Sequence, residues 1–292
     1  MGRSAAVMAV GRLLSRLSGL ARVFALADAL GATALADTYT LANTTPNIIY
    51  ELAVGGVLSG ALLPVLVGEL ASKKEDEVWR AISAVVTLAL LACLVLAGVF
   101  LLVAPLLLRL YTLRKHGPVA DDQFEVATVV LRLFAPQVAL YGVISMATAL
   151  SNAQWRFAAP MFAPILNNLV VIAVLLSFPH LIGIRDLHQA RGNPAGLWLL
   201  GLGTTAGVAA ISLAQLPLGT IRARLRFVWA PRHHAIRTLA RLSGWTVAFV
   251  AANQLALLVV QVLANAHDGD VTIYTIAYIF FLLPHGVLAV ST

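Results

Sequence analysis

Eight separate stretches of mostly apolar sequence, near 5–30, 40–69, 79–111, 123–151, 158–179, 195–221, 235–265 and 271–291, divide this chain. Each is about 20 residues or longer, the length a helix needs to cross a bilayer core of roughly 30 Å. In hydrocarbon no water is present to hydrogen-bond the backbone, and a helix satisfies those groups within itself. The chain therefore reads as an all-α integral membrane protein, a multi-helix bundle of the kind transporters use. Composition agrees, because 60% of the 292 residues are hydrophobic and only 11% are charged. A water-facing surface requires far more charge than that.

The separators carry turn chemistry and charge: Gly31 to Asp37, SKKEDE at 72–77, TLRKHGPVADD at 112–122, NAQWRFAAP at 152–160, a loop at 179–195, RARLRFVWAPRHH at 222–234 and AHDGD at 266–270. Net charge is +7, but the basic residues sit in loops and in the first helix. That distribution points to membrane topology and anionic lipid, and no soluble basic domain with interleaved aromatics exists for nucleic acid to bind. Lysine and arginine number ten on the N-terminal side of the membrane and five on the other, which places the N-terminus in the cytoplasm. Cys93 is the only cysteine, so neither a disulfide framework nor a cysteine metal site is available. A cleavable signal peptide is not expected, since the N-terminal run is too long and is interrupted by Arg16 and Arg22.

An internal repeat organises the chain. RLLSRLSGLARVFALADAL at 12–30 lies on RTLARLSGWTVAFVAANQL at 237–255 without a gap, with nine identities in nineteen positions. TYTLA at 38–42 then echoes IYTIA at 273–277. Six spans separate the copies, so both cross in the same direction, as in parallel transporter repeats. The sequence divides into a six-helix lobe at 1–222, a basic cytoplasmic linker at 223–234 and the first two helices of a second lobe at 235–292. The second lobe is incomplete, so the chain reads as a fragment of a longer transporter.

The first helix holds the main chemical signal. On a helical wheel Arg12, Ser15, Arg16, Ser18, Gly19 and Arg22 share an arc of about 160°. Such a face must look into a bundle interior or a water-filled cavity. Arginine stays charged at any relevant pH and grips carboxylate or phosphate through a planar fork of donors. Arg132 in the fourth span adds a third candidate cation, four residues before the helix-bending Pro136. Intramembrane acids are scarce (Asp28, Asp37, Glu51 and Glu125), so the balance favours an anionic, phosphate-bearing substrate. Arg16 has a counterpart in Arg241 of the repeat, whereas Val247 stands opposite Arg22, which makes Arg22 the stronger candidate for phosphate. Pro46 is expected to break the second span, and Gly55, Gly56 and Gly60 to let neighbouring helices approach closely. Pro160 and Pro164 bracket the start of the fifth span, ahead of Asn167 and Asn168.

Enzymatic readings find no support. The sequence holds no HExxH, Walker loop or GxSxG. His233 and His234 lack acidic or cysteine partners nearby, so neither a metal nor a cofactor is expected.

These residues resemble a known family, the MurJ (MviN) lipid II flippases of bacterial cell-wall synthesis, in the superfamily of polysaccharide flippases and multidrug extruders. The family's S-R-x-x-G-x-x-R, then G-A and A-D, stands here as Ser15, Arg16, Gly19, Arg22, Gly31, Ala32, Ala36 and Asp37. Its P-N is Pro46 and Asn47, and its S-x-x-x-P falls one residue out of register at Ser59 to Pro64. R-F-x-x-P-x-F-A-P-x-L-x-N is Arg156, Phe157, Pro160, Phe162, Ala163, Pro164, Leu166 and Asn168. L-P-x-G-V-x-x-V is Leu283, Pro284, Gly286, Val287 and Val290. The resemblance implies a two-lobe flippase of about fourteen helices, with a cationic central cavity for a polyprenyl-pyrophosphate-linked disaccharide-peptide. It implies substrate-facing roles for Arg16, Arg22, Asp37 and Arg132, with Ser15 and Ser18 beside them. Gly19, Pro46, Asn47, Pro160, Pro164, Asn168 and Pro284 become structural or gating positions. Four family polar positions are replaced here, by Val23, Tyr50, Gly55 and Ile279.

The expected activity is translocation of lipid II across the bacterial cytoplasmic membrane by alternating access, in contact with membrane lipids and with cell-wall synthesis proteins. Two other readings stand beside it: an exporter of another polyprenyl-phosphate-linked glycan, and a non-transporting scaffold of cell-wall synthesis.

Overall fold

The computed structural model describes residues 2–51, 67, 75–184, 186–216 and 225–288, with side chains left aside at 2–9, 75, 234, 242–243 and 283–288. The described parts of the apolar stretches fall almost entirely on helix. In chain order the described helices are α1 (Gly2–Leu30), α2 (Ala34–Tyr50), α3 (Glu75–Tyr111), α4 (Pro118–Ala153), α5 (Ala158–Leu181), α6 (Leu187–Arg191), α7 (Pro194–Gln215), α8 (His234–Ala264) and α9 (Asp270–Leu288). Among the described residues five helices are long and apolar enough to span a bilayer, lying within α3, α4, α5, α7 and α8. The 37 residues of α3 extend about 55 Å at the usual helical rise, well beyond the hydrocarbon core, so its ends stand in the headgroup layers.

Local chemistry sets the boundaries. Thr33 caps α2, its hydroxyl oxygen accepting from the Ala36 N–H at 3.2 Å. Asn193 caps α7 by accepting from the Gly196 N–H at 2.9 Å, with Pro194 at the first helical position. Helix α2 begins at Ala34, so the first connection is shorter than the sequence indicates, and Asp37 lies in the first turn of a helix.

Pro46 does not break α2, which stays helical through it to Tyr50. The proline ring leaves the Ala42 carbonyl without its usual donor. Threonine hydroxyls support the two carbonyls before it: Thr44 donates to Thr40 O at 2.9 Å and Thr45 to Leu41 O at 2.6 Å. Packing of α2 against α4 holds the rest. Pro160 lies in the first turn of α5, where a missing N–H costs little, and Pro164 lies one turn further in. Gly55, Gly56, Gly60, Ser59 and Pro64 lie outside the described residues, and of Pro284 only its backbone place within α9 is described.

The core is a bundle in which α1 lies along α5, α5 along α7, and α4 is surrounded by α2, α3 and α7. Helices α3 and α4 meet at Gly142, where an added Cβ would stand 2.5 Å from the Cys93 sulfur. Cys93 is buried in this seam as a small packing residue. Residues 225–230 run beside α3 without regular helix, the Arg226 and Val228 N–H groups donating to the hydroxyls of Ser83 and Thr87, each at 3.2 Å. The repeated pair α8 and α9 then returns to the bundle, α8 against α3 and α9 against α2 and α1.

Candidate functional site

Helices α1, α2, α5 and α9 enclose a cavity of about 440 Å³. Arg16, Gly19, Leu20, Arg22, Val23 and Leu26 of α1 line one side. Tyr39, Thr40, Asn43 and Thr44 of α2 line another. Asn168 and Leu175 come from α5, and Thr275, Ile279 and Leu282 from α9. The amphipathic pattern of α1 explains its place: its small residues pack on α5 while the arginines turn to the opening. Neither Arg16 nor Arg22 has an ion-pair or hydrogen-bond partner among the described residues. Two guanidiniums without partners at one cavity wall offer an anion two planar forks of donors.

The other residues singled out in the sequence divide. Ser15 and Ser18 do not line the cavity. They fasten α1 to α5: Asn168 Nδ2 donates to the Ser18 hydroxyl at 2.9 Å and to Ser15 O at 3.4 Å, and the Ser18 hydroxyl donates to Ser15 O at 2.9 Å. Small hydroxyl residues at a helix seam allow this close approach. Arg132 is exposed on α4 and the structure does not bring it to the cavity, because its neighbours Leu131 and Phe134 occupy the inward side of that helix. Asn47 is exposed at the end of α2. Tyr50 is buried, its hydroxyl bonded to that of Ser145, so this position holds α2 to α4 rather than facing the cavity. Val23 and Ile279 do line it, and both make it apolar where the resemblance places polar groups.

Asp37 does something the sequence did not indicate. It is fully buried away from the cavity, and its carboxylate caps the N-terminus of α9. Oδ2 accepts from the Gly269 N–H at 2.7 Å, and Oδ1 accepts from the Thr272 N–H at 2.9 Å and the Thr272 hydroxyl at 2.8 Å. An anion at the positive end of a helix, satisfying its unpaired N–H groups, is a strong cap. The chain can reach this position because Gly269 has φ +90, and a Cβ there would stand 2.8 Å from Ala32 O.

Further contacts close the same end of the bundle. Gln123 and Asn265 exchange amide hydrogen bonds of 3.0 and 3.2 Å, and Asn265 also donates to Tyr111 O at 2.9 Å. Lys115 pairs with Asp268 at 2.8 Å. The α8–α9 connection is thus tied to α2 and to the α3–α4 connection. On the same face α6 is held to α4, with Asp122 accepting from Arg191 at 2.9 Å and lying 2.8 Å from His188 Nδ1. The hydrogen bond to Asp122 holds the Arg191 guanidinium above its ordinary pKa.

Sequence reasoning missed Thr40, Asn43 and Thr44. Their spacing of three and four residues was the available signal, since it sets them on one face of α2. No group of three or more His, Cys, Asp or Glu residues that could hold a metal is present among the described residues.

A multi-span helical membrane protein with a cationic cavity between its first helices and a repeated pair is what fold and site define. The family model for lipid II flippase MurJ matches residues 26–292. A Burkholderia cenocepacia protein called lipid II flippase MurJ is 30% identical over 58% of this chain and 33% of its own length. A probable lipid II flippase MurJ of Haemophilus influenzae is 27% identical over 87% of this chain and 49% of its own length. The one from Thermotoga maritima is 24% identical over 97% and 54%. A solved structure of lipid II flippase MurJ in an inward closed conformation shares the fold, with TM-score 0.75 at 17% identity over 97% of this chain and 56% of that one. The chain belongs to the MurJ family. It spans about half the length of most of these relatives.

Proposed function

We propose that this chain forms the first part of a flippase that carries lipid II across the bacterial cytoplasmic membrane by alternating access, with its N-terminus in the cytoplasm. The observation that carries the reading is the pair Arg16 and Arg22, without ion-pair or hydrogen-bond partners among the described residues, at the wall of the cavity. The arginines hold the pyrophosphate, for which their planar donor forks are suited. Asp37, Gln123 and Lys115 hold the outer end shut while the cavity loads from the cytoplasmic side. Opening that end requires α9 to give up its Asp37 cap, so the cap is part of the equilibrium between the two facing states.

Val23 and Ile279 favour a second reading, in which the cargo is another polyprenyl-phosphate-linked glycan, because the cavity lacks polar groups at those two positions.

The test is complementation of a flippase-depleted strain by the full-length protein. Arg22→Ala loses charge-assisted bonds worth about 1.5–3 kcal/mol each and is expected to abolish rescue, as is Arg16→Ala. Arg132→Gln, outside the cavity, is expected to rescue. Wild-type rescue by both alanine variants overturns the site. Failed rescue by the wild type, together with transport of a different lipid-linked glycan in vesicles, replaces the first reading by the second.

A further inference from the structure

The cavity wall opposite the arginines is made of uncharged hydrogen-bonding groups. Thr40, Asn43 and Thr44 are contributed by successive turns of α2 and all three line the cavity. Thr40 is the distinctive member. Thr38, Thr44 and Thr45 of the same helix each turn the hydroxyl back onto the carbonyl four residues earlier, at 2.6, 2.9 and 2.6 Å. Thr40 does not: its Oγ1 is buried without any hydrogen-bond partner, on a residue only 6% exposed. A buried hydroxyl with no partner is disfavoured unless something supplies one. Asn43, one turn further, is partly exposed and likewise makes no hydrogen bond among the described residues. Tyr39, in the same wall, is fixed by its hydroxyl's bond to Thr204 of α7 at 2.8 Å and by its ring, edge-on to Phe134.

This arrangement is mismatched to phosphate, which the arginines already serve, and suited to a neutral ligand rich in donors and acceptors. We infer that Thr40, Asn43 and Thr44 form the subsite that reads the hydroxyl and amide groups of the sugar next to the pyrophosphate, so that α1 binds the anion and α2 discriminates the glycan. The inference rests on the proposed flippase reading and adds the specificity determinant to it. A site built to hydrogen-bond a polar ligand rejects an analogue lacking those groups, because its own buried groups are then left unpaired.

The experiment measures binding of two probes to the full-length protein in detergent: lipid II, and undecaprenyl pyrophosphate, which has the anion and the chain but no sugar. Thr40→Val keeps the side-chain shape and deletes the hydroxyl; Asn43→Leu deletes the amide. The wild type is expected to prefer lipid II. The double variant is expected to lose that preference by roughly tenfold, the effect of one or two hydrogen bonds, while binding undecaprenyl pyrophosphate as the wild type does. Arg22→Ala is expected to weaken both probes alike. An unchanged preference in the double variant overturns the inference and leaves the flippase reading standing. A wild type that binds neither probe overturns both. An equal loss for both probes in the double variant also overturns the inference, since the wall would then only shape the cavity; thermal unfolding of each variant shows whether that loss comes from misfolding.

Discussion

Replacing Asp37 by alanine removes three hydrogen bonds at once from the start of α9. Loss of an N-cap side chain costs about 0.5–2 kcal/mol. The Gly269 N–H, also buried, then has no acceptor, which adds about 1–3 kcal/mol. Together the cost is about 1.5–5 kcal/mol, and at about 2 °C per kcal/mol for a domain of this size Tm should fall by about 3–10 °C. Asp37→Asn retains one acceptor oxygen and should fall about half as far. The single, buried Cys93 provides the assay, because a thiol-reactive dye reports its exposure as the protein unfolds. An alanine variant that melts with the wild type while losing transport would refute the cap and return Asp37 to a role in contact with substrate.

Two further outcomes follow from the packing. Gly142→Ala forces a methyl to 2.5 Å from the Cys93 sulfur and 3.0 Å from its Cβ, and should destabilise by about 1–3 kcal/mol; Cys93→Ala in that background should recover part of the loss, read by tryptophan fluorescence on heating. Where the α8–α9 and α3–α4 connections meet, Gln123→Leu leaves the fully buried Asn265 short of partners and should cost about 2 kcal/mol. Lys115→Met breaks a pair whose acid is half-exposed and should cost less than about 1 kcal/mol; the opposite order in thermal unfolding would show that the ion pair, not the amide pair, closes this end.

The sequence by itself determined that the chain crosses a membrane several times, and where. A bilayer judges each segment by its own hydropathy and length, so the described parts of those stretches appear as helix, five of them long and apolar enough to span. It also determined that α1 presents arginines on one face, since helical periodicity is local, and the structure turns Arg16 and Arg22 of that face to the cavity. Pro46 shows the limit of local rules: its ring predicts a break, yet threonine hydroxyls and packing on α4 keep α2 whole. Arg132 was legible as a cation in a span, but which side of α4 faces inward depends on neighbours far along the chain. Asp37 depended on them most, because its partners Gly269 and Thr272 lie more than two hundred residues away. The stripe of Thr40, Asn43 and Thr44 could be read as one helical face. Only the packing of α1, α5 and α9 around it decided that this face meets a cavity, since a polar group's partner is chosen by what the folded chain places beside it.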